Sequence, residues 1–333
     1  MIIPATTPHE RPAAGLSRRE FLLFAGGALL LAACGDGLRG RQPRVGLALG
    51  GGGAKGLAHI PMLEALDELG IRPHRIAGTS IGAVVAALYA GGLSGTQIRA
   101  LVEQFLVDRS DSERKLFALP RSLRWLDFID PAFASGGLLD SSDFIAFLGE
   151  NIPARRFRDL EIPLKVVTAD LWSGEPVILD SGPLLSAVQA SMAVPGVFAP
   201  VELNGLKLVD GGLANPLPFD LLTDECDLVI AIDVSGDHQP EDGEELSSMG
   251  VVFHSFQIMS HNILAEKLRY RQPDIYIRPE LMNIRMLEFY KAREVFEGAQ
   301  PAKQKLTRAL KNVRGISKPR PGCSRAPAYN PSR

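Results

Sequence analysis

The chain has 333 residues, a formal net charge of -2 and 46% apolar residues, which is typical of a globular protein with a substantial core. Its three cysteines are too few for a small disulfide scaffold. A pI of about 6.3 gives no general positive field, which disfavours a dedicated nucleic-acid-binding protein. We therefore expect one or two globular domains and no nucleic acid as a partner.

The first 33 residues have the pattern of an export signal. Arg18 and Arg19 precede an apolar run over residues 21–33, and small residues end that run before Cys34. As a helix the run is about 20 Å long, whereas a hydrocarbon core is about 30 Å thick. The pattern resembles a bacterial twin-arginine signal with a lipoprotein cleavage site, followed by a linker over 34–43. An uncleaved signal anchor or a disordered leader is the alternative.

That resemblance implies a location and a membrane contact. Acylation of Cys34 would hold the exported protein at a membrane surface of the bacterial cell envelope, because buried acyl chains anchor proteins to bilayers. The other two thiols are Cys226 and Cys323. A disulfide between them is possible in an oxidising compartment, but we expect two free thiols.

From residue 44 onward, short apolar runs alternate with helical patterns, which predicts an α/β fold with a mostly parallel sheet. The predicted strands are 45–49, 75–79, 164–168, 176–179, 206–209 and 228–234, and the predicted helices are 57–69, 83–90, 142–150 and 183–192. Pro61 predicts a kink or a late start in the first helix.

Three segments depart from this alternation. Residues 101–137 crowd aromatic and aliphatic side chains, which indicates either a packed helical subdomain or a lid facing a membrane. Residues 237–245 are predicted to be an acidic loop. Residues 301–333 carry nine Lys or Arg and no acidic residue, which predicts a disordered tail after a catalytic domain over 44–300.

A candidate nucleophile follows the second predicted strand. Gly78 and Gly82 flank Ser80 in the order Gly-Thr-Ser-Ile-Gly, which is the spacing of a nucleophile elbow between a strand and a helix. Such a turn exposes the hydroxyl above the sheet and points helical amides towards it. In isolation, a serine in a turn is more often a helix cap, so the flanking strand and helix carry the interpretation.

A run of glycines over residues 50–53 follows the first predicted strand. Consecutive glycines let backbone amides converge on an anion, either a phosphate or a tetrahedral oxyanion. A dinucleotide site requires an acidic residue at the end of the second strand, and this sequence has none there. A P-loop requires Ser or Thr directly after its lysine, but Gly56 follows Lys55. We therefore expect an oxyanion site and no nucleotide.

A candidate base lies at the end of a later strand. Asp210 is followed by Gly211 and Gly212, which leave its carboxylate uncrowded. In isolation, an Asp-Gly pair more often marks a simple turn than a catalytic site. The order of the three motifs along the chain favours the interpretation of Asp210 as a base.

These motifs together resemble the patatin-like phospholipase family over about residues 44–234, including the segments 136–140 and 191–200. The resemblance implies a three-layer α/β/α sandwich with a mostly parallel central sheet, and lipid acyl hydrolysis without metal or other cofactor. It places the nucleophile on Ser80, the base on Asp210 and the family's usual basic residue on Lys55. It places the oxyanion hole on Gly51, Gly52 and Gly53. Gly50, where many members carry Asp, and Pro61, where bacterial members often carry Gly, depart from the family pattern.

The implied reaction is attack of Ser80 on an ester carbonyl, with Asp210 accepting the proton and an acyl-enzyme as intermediate. A phospholipase A or lysophospholipase acting on phospholipid or another lipid ester is expected. Two alternatives remain. His238, His254 and His261 follow Asp210 in the order of an α/β-hydrolase triad, although Ser80 comes early for that fold. A lipid-binding protein without turnover is the second.

Overall fold

A computed structural model describes residues 43–112, 141–236 and 248–313, which lie in a compact unit that begins at Pro43. Eight strands in these ranges form one mixed sheet. They are β1 (Val45–Leu49), β2 (Arg75–Thr79), β3 (Leu164–Asp170), β4 (Pro176–Leu179), β5 (Val201–Leu203), β6 (Leu206–Asp210), β7 (Leu228–Ile232) and β8 (Ile275–Ile277). Their order is β5-β6-β3-β2-β1-β7-β8, and β4 pairs with β3.

Eight α-helices flank this sheet in the described ranges. They are α1 (His59–Glu68), α2 (Ile81–Ala90), α3 (Gly95–Ser112), α4 (Ser142–Asn151), α5 (Leu184–Ser191), α6 (Ser248–Tyr270), α7 (Ala292–Gly298) and α8 (Gln300–Lys311). None of the helices in this part of the chain is long and apolar enough to cross a membrane.

Apolar residues cover both faces of the sheet. Leu47 and Leu49 of β1 belong to the larger core, whereas Ala48 between them belongs to a second core with Leu264 of α6. This alternation follows from the two-residue period of a strand. Strands that are apolar on both faces are typical of parallel sheets with helices on each side. The predicted layered α/β architecture with a mostly parallel sheet is confirmed.

The placement of β6 brings two distant parts of the chain together. β2 pairs in parallel with the first part of β3, with Thr79 opposite Val167. β6 pairs antiparallel with the last part of β3, with Asp210 opposite Thr168. Since β4 occupies the other edge of β3, β2 and β6 lie end to end along one edge. Their carboxyl ends therefore meet.

The late start predicted from Pro61 is observed in the first helix, whereas the predicted start of the tail differs from the structure. A 3-10 turn over Gly53–Ala58 precedes α1, so Pro61 lies in the first turn of α1. A proline is tolerated there because its missing N–H needs no helical partner. The tail predicted from residue 301 is wrong over residues 301–311, because α8 extends to Lys311 and buries Leu306 and Leu310.

The ion pairs of Lys303 explain part of the error in the predicted start of the tail. Lys303 pairs with Glu64 and Glu68 of α1 at 3.2 and 2.7 Å, so its charge is matched by another helix. From sequence alone, a basic segment that contains no acidic residues is predicted to be a solvated tail, because its acidic partners elsewhere in the chain are not visible.

Several predicted features lie outside the described residues. These are the export signal and Cys34, most of the 101–137 segment with residues 136–140, the acidic loop with His238, and residues 314–333 with Cys323. Of the thiols, Cys226 is described, and it is free and buried.

Candidate active site

Ser80 lies on a strained turn between β2 and α2. Its φ of 55° and ψ of -128° fall in a region that non-glycine residues rarely occupy, which costs about 1–3 kcal/mol. The flanking glycines make this turn possible. A Cβ on Gly78 would lie 2.7 Å from Ala83 Cα, and a Cβ on Gly82 would lie 2.3 Å from the Leu49 carbonyl oxygen.

The Ser80 hydroxyl is directed at Asp210. Its Oγ donates a hydrogen bond of 2.6 Å to Asp210 Oδ2, across 130 residues of sequence. The second carboxylate oxygen, Oδ1, accepts the Gly212 amide at 2.7 Å. The two residues predicted as nucleophile and base are therefore in direct contact, with no histidine between them.

Burial sets the basicity of Asp210. Its side chain is 1% exposed, and this desolvation raises the pKa of Asp210 to about 6 because it disfavours the charged carboxylate. The hydrogen bonds from Ser80 and Gly212 oppose that rise. Asp210 is thus a stronger base than an ordinary aspartate while it is still ionised for the most part at neutral pH.

The glycine loop after β1 approaches Ser80 closely. A Cβ on Gly51 would lie 3.3 Å from Ser80 Cβ. The Gly51 amide donates to the Pro216 carbonyl at 2.9 Å, so it is not available to a substrate. The amides of Gly52 and Gly53 have no hydrogen-bond acceptor in the described ranges.

The backbone at Gly52 and Gly53 excludes side chains. A Cβ on Gly52 would lie 2.4 Å from the Val234 carbonyl oxygen, and one on Gly53 would lie 2.2 Å from that of Met286. Gly53 also has a φ of 58°, which favours glycine. Of the three predicted oxyanion donors, Gly52 and Gly53 have amides without an acceptor in the described ranges, whereas the Gly51 amide is bonded to the Pro216 carbonyl.

His59 supports this loop, and the sequence motifs did not indicate it. The side chain is fully buried, and its Nε2 donates to the Gly50 carbonyl at 2.8 Å. Desolvation lowers the pKa of His59 to about 4, so the ring is neutral at pH 7. Its Nδ1 has no hydrogen-bond partner in the described part of the chain.

Ser191 is a second supporting residue without a predicted role. Its Oγ accepts the Ser80 backbone amide at 2.9 Å and donates to the Val167 carbonyl at 2.6 Å. The hydroxyl therefore links the strained turn to β3. One feature of the sequence indicated a role for Ser191, because this residue begins segment 191–200, which is part of the family resemblance.

A third support holds the loop after Asp210. The Lys267 ammonium of α6 donates to the Asn215 side chain, to the Leu217 carbonyl and to Asp220. The Thr79 hydroxyl donates to the Asn215 carbonyl at 2.8 Å. These contacts fix the segment whose Pro216 carbonyl accepts the Gly51 amide.

The site opens into a cavity of about 740 Å³, which is the size of a pocket for a small molecule or lipid group. Gly51, Gly52, Gly53, Ser80 and Asp210 all line it. Its wall is mostly apolar. Lys55, which the family resemblance singled out, is buried and also lines this cavity.

The histidines of the rival triad lie in different places. His254 and His261 of α6 line the cavity, but both oxygens of Asp210 are engaged by Ser80 and Gly212. A triad needs a histidine bonded to both the serine and the acid. Among the described residues, no group of His, Cys, Asp and Glu has the arrangement of a metal site.

The fold and the site together define an α/β protein with a serine on a nucleophile elbow. A family model described as Patatin-like phospholipase matches residues 47–223, which is more than half of the chain. The chain therefore belongs to the patatin-like phospholipase family.

Individual relatives agree with this assignment. An uncharacterized NTE family protein of Mycobacterium tuberculosis is 36% identical over 196 residues, which are 59% of this chain and 50% of that protein. Lysophospholipase NTE1 of Saccharomyces cerevisiae is 26% identical over 276 residues, which are 76% of this chain and 16% of that protein. The chain thus matches half or less of the length of these relatives.

Among solved structures, VipD from Legionella pneumophila is similar with a TM-score of 0.46 and 14% sequence identity. The match covers 83% of this chain and 70% of that chain.

Proposed function

We propose that this chain is a lipid acyl hydrolase of the phospholipase A or lysophospholipase type. The observation that carries the proposal is the 2.6 Å hydrogen bond from the Ser80 hydroxyl to the buried Asp210 carboxylate. A nucleophile and a base within hydrogen-bond reach are the minimal machinery for acyl transfer. The family assignment and the lysophospholipase name of one relative support the same class of substrate.

Acylation begins when Ser80 Oγ attacks the ester carbonyl and its proton passes to Asp210 Oδ2. The carbonyl oxygen becomes an oxyanion, which the Gly52 and Gly53 amides stabilise because their N–H groups have no acceptor among the described residues. When the carbon–oxygen ester bond breaks, Asp210 returns the proton to the departing alcohol. The acyl group then remains on Ser80.

Deacylation repeats these steps with water as the nucleophile. Asp210 takes a proton from the attacking water, the same amides stabilise the second oxyanion, and Ser80 leaves with the proton that Asp210 returns. The products are a carboxylic acid and the restored enzyme. With a pKa of about 6 for Asp210, about nine-tenths of the carboxylates are ionised at pH 7.

The experiment compares hydrolysis by the purified chain and by Ser80→Ala. Substrates are p-nitrophenyl butyrate and vesicles of phosphatidylcholine with lysophosphatidylcholine. We expect the variant to lose at least about 10³-fold in rate on each substrate, because the nucleophile is absent. Equal rates in both proteins would exclude this mechanism. Ser173→Ala, which changes an exposed turn after β3, is the matched control.

We further propose that the chain is an exported bacterial lipoprotein anchored through Cys34. The support is the order of paired arginines, apolar run and Leu-Ala-Ala-Cys in the sequence. In bacteria fed a tagged fatty acid, the wild type should carry the tag and fractionate with membranes. Cys34→Ser should lose the tag, and equal tagging of both would exclude the proposal.

A further inference from the structure

One buried residue connects the turn that carries the candidate base with the turn that carries the candidate nucleophile. The Asn215 backbone amide donates to the Gly211 carbonyl at 2.8 Å, and Gly211 directly follows Asp210. The Asn215 carbonyl accepts the Thr79 hydroxyl at 2.8 Å, and Thr79 directly precedes Ser80. Asn215 therefore holds these two turns at a fixed separation.

The next residues extend this connection to the glycine loop. The Pro216 carbonyl accepts the Gly51 amide at 2.9 Å, and Gly51 directly precedes the two glycines proposed as oxyanion donors. We call residues 215–217 the bridge. The nucleophile turn, the base turn and the glycine loop thus belong to one hydrogen-bonded unit that is centred on the bridge.

A single cation of α6 holds the bridge from its other side. Lys267 Nζ donates to the Asn215 side-chain oxygen, to the Leu217 carbonyl at 2.9 Å and to Asp220. The Lys267 side chain is only 17% exposed, and its Nζ lies 4.8 Å from the centre of the Phe219 ring. An ammonium carries three N–H groups, so these acceptors use all of its donors.

Lys267 has no direct access to the reacting atoms, because it does not line the cavity. Any influence on the reaction therefore passes through the bridge. Without the ammonium, the Asn215 side chain and the Leu217 carbonyl lose a charged donor, and the bridge is free to shift. A displacement of about 1 Å at a reacting group can lower a rate by about 10²-fold.

We propose that Lys267 is a positioning residue for acyl transfer, because it fixes the bridge and thereby the relative placement of Ser80, Asp210 and the glycine loop. This inference rests on the proposed function and deepens it, since it adds to the site a residue that lies outside the three sequence motifs. Lys267 acts on the alignment of the reacting groups, so its removal lowers kcat rather than the affinity for substrate.

The first experiment measures kcat and KM on p-nitrophenyl butyrate for the wild type and Lys267→Met. Methionine retains an unbranched apolar stem and removes the ammonium. We expect kcat to fall at least about tenfold, because the reacting groups lose their alignment. We expect KM to change less than about twofold, because the substituted residue does not line the cavity.

The matched control is Lys165→Met, which removes a comparable cation near the start of β3. Lys165 Nζ donates to the Leu221 carbonyl at 3.0 Å and pairs with Glu225 at 2.6 Å, and its side chain is 14% exposed. Its partners thus resemble those of Lys267 but lie outside the bridge. We expect Lys165→Met to keep kcat within about twofold of wild type. An unchanged kcat in Lys267→Met, or an equal loss in both variants, would overturn the proposal.

The second experiment separates this inference from lipid hydrolysis. A fluorophosphonate reacts with Ser80 Oγ, so that a phosphorus–oxygen bond forms, fluoride leaves and the serine proton passes through Asp210 to water. Labelling should be at least about tenfold slower in Lys267→Met than in the wild type and in Lys165→Met. That result would sustain the inference even if no lipid ester is hydrolysed. Labelling of Lys267→Met at the wild-type rate would overturn it even if lipid esters are hydrolysed.

Thermal unfolding shows whether each variant is folded at the assay temperature. If Lys267→Met is unfolded there, Lys267→Gln takes its place in both experiments, because its amide retains an uncharged donor close to the bridge. We expect Lys267→Gln to have a lower kcat than Lys165→Met and a wild-type KM. A wild-type kcat in Lys267→Gln would then overturn the proposal.

Discussion

Ser80 and Asp210 are joined by a hydrogen bond of 2.6 Å although 130 residues separate them in sequence. The contact exists because β2 and β6 end at the same point along one edge of β3. The carboxylate is buried, and the serine turn is strained. Both features cost stability, which is common where a structure is shaped for chemistry.

The rate of ester hydrolysis should depend on pH through Asp210. Its pKa is raised to about 6, and only the ionised carboxylate accepts the serine proton. We expect kcat/KM to rise with pH and to level off above a midpoint near pH 6. A pH series with a soluble ester measures this. A midpoint near 4 would mean that Asp210 is solvated, and a midpoint near 7 that shifts in His261→Gln would favour a histidine base.

The stability of the fold should also depend on Asp210. Since its folded pKa is higher than 3.8, its contribution to the free energy of unfolding is present at low pH and is lost as pH rises through about 6. Relative to wild type, Asp210→Asn should therefore gain about 2–3 kcal/mol between pH 4 and pH 8, at 1.36 kcal/mol per pKa unit. Urea unfolding at the two pH values measures this difference, and no change would contradict the raised pKa.

His59 should act in the opposite direction over nearly the same pH window. Its folded pKa is lowered to about 4 from 6.5, so its contribution to stability is present above pH 6.5 and is lost as pH falls towards 4. Relative to wild type, His59→Gln should gain about 3 kcal/mol between pH 8 and pH 4. Unfolding curves of both variants at both pH values give the sign of each change in the free energy of unfolding. If both changes had the same sign, either the raised pKa of Asp210 or the lowered pKa of His59 would be excluded.

Removal of the Ser191 hydroxyl should weaken both the fold and the site. Ser191→Ala leaves the Ser80 amide and the Val167 carbonyl without a buried partner, which costs about 1–3 kcal/mol. Because the hydroxyl does not touch the substrate, we expect kcat to fall while KM changes little. Ser191→Thr retains the hydroxyl and should recover part of kcat. Full activity of Ser191→Ala would show that the turn holds its shape without this link.

The glycines of the loop should differ in their tolerance of a methyl group. Gly53→Ala places a Cβ 2.2 Å from the Met286 carbonyl oxygen and requires a positive φ, so we expect loss of stability and of kcat. Gly51→Ala brings a Cβ to 3.3 Å from Ser80 Cβ, and we expect a smaller loss of stability. Steady-state kinetics and thermal unfolding compare the two. Equal effects would contradict the different roles assigned to these residues.

Much of the fold and of the site was predictable because its signals are local. The spacing of Gly78, Ser80 and Gly82 predicts a turn, and apolar runs predict the strands on either side. The family resemblance then paired Ser80 with Asp210. That pairing needs the topology of β6, which no local pattern shows.

Other features depend on contacts between distant segments. The Gly51 amide is unavailable because the Pro216 carbonyl lies next to it, and glycine spacing carries no information about that partner. His59 lies in a helix, and the helical pattern does not distinguish a histidine that supports the glycine loop from any other buried residue. Residues 301–313 were predicted as tail because the acidic partners of Lys303 belong to α1.

The most direct test of the Ser80–Asp210 account is covalent trapping with a fluorophosphonate followed by peptide mass spectrometry. The reagent phosphonylates an activated serine and releases fluoride, so it reports on the nucleophile without turnover. We expect one adduct, on the peptide that contains Ser80, and we expect it to form at least about 10²-fold more slowly in Asp210→Asn. An adduct on another serine, or an equal rate of labelling in Asp210→Asn, would contradict it.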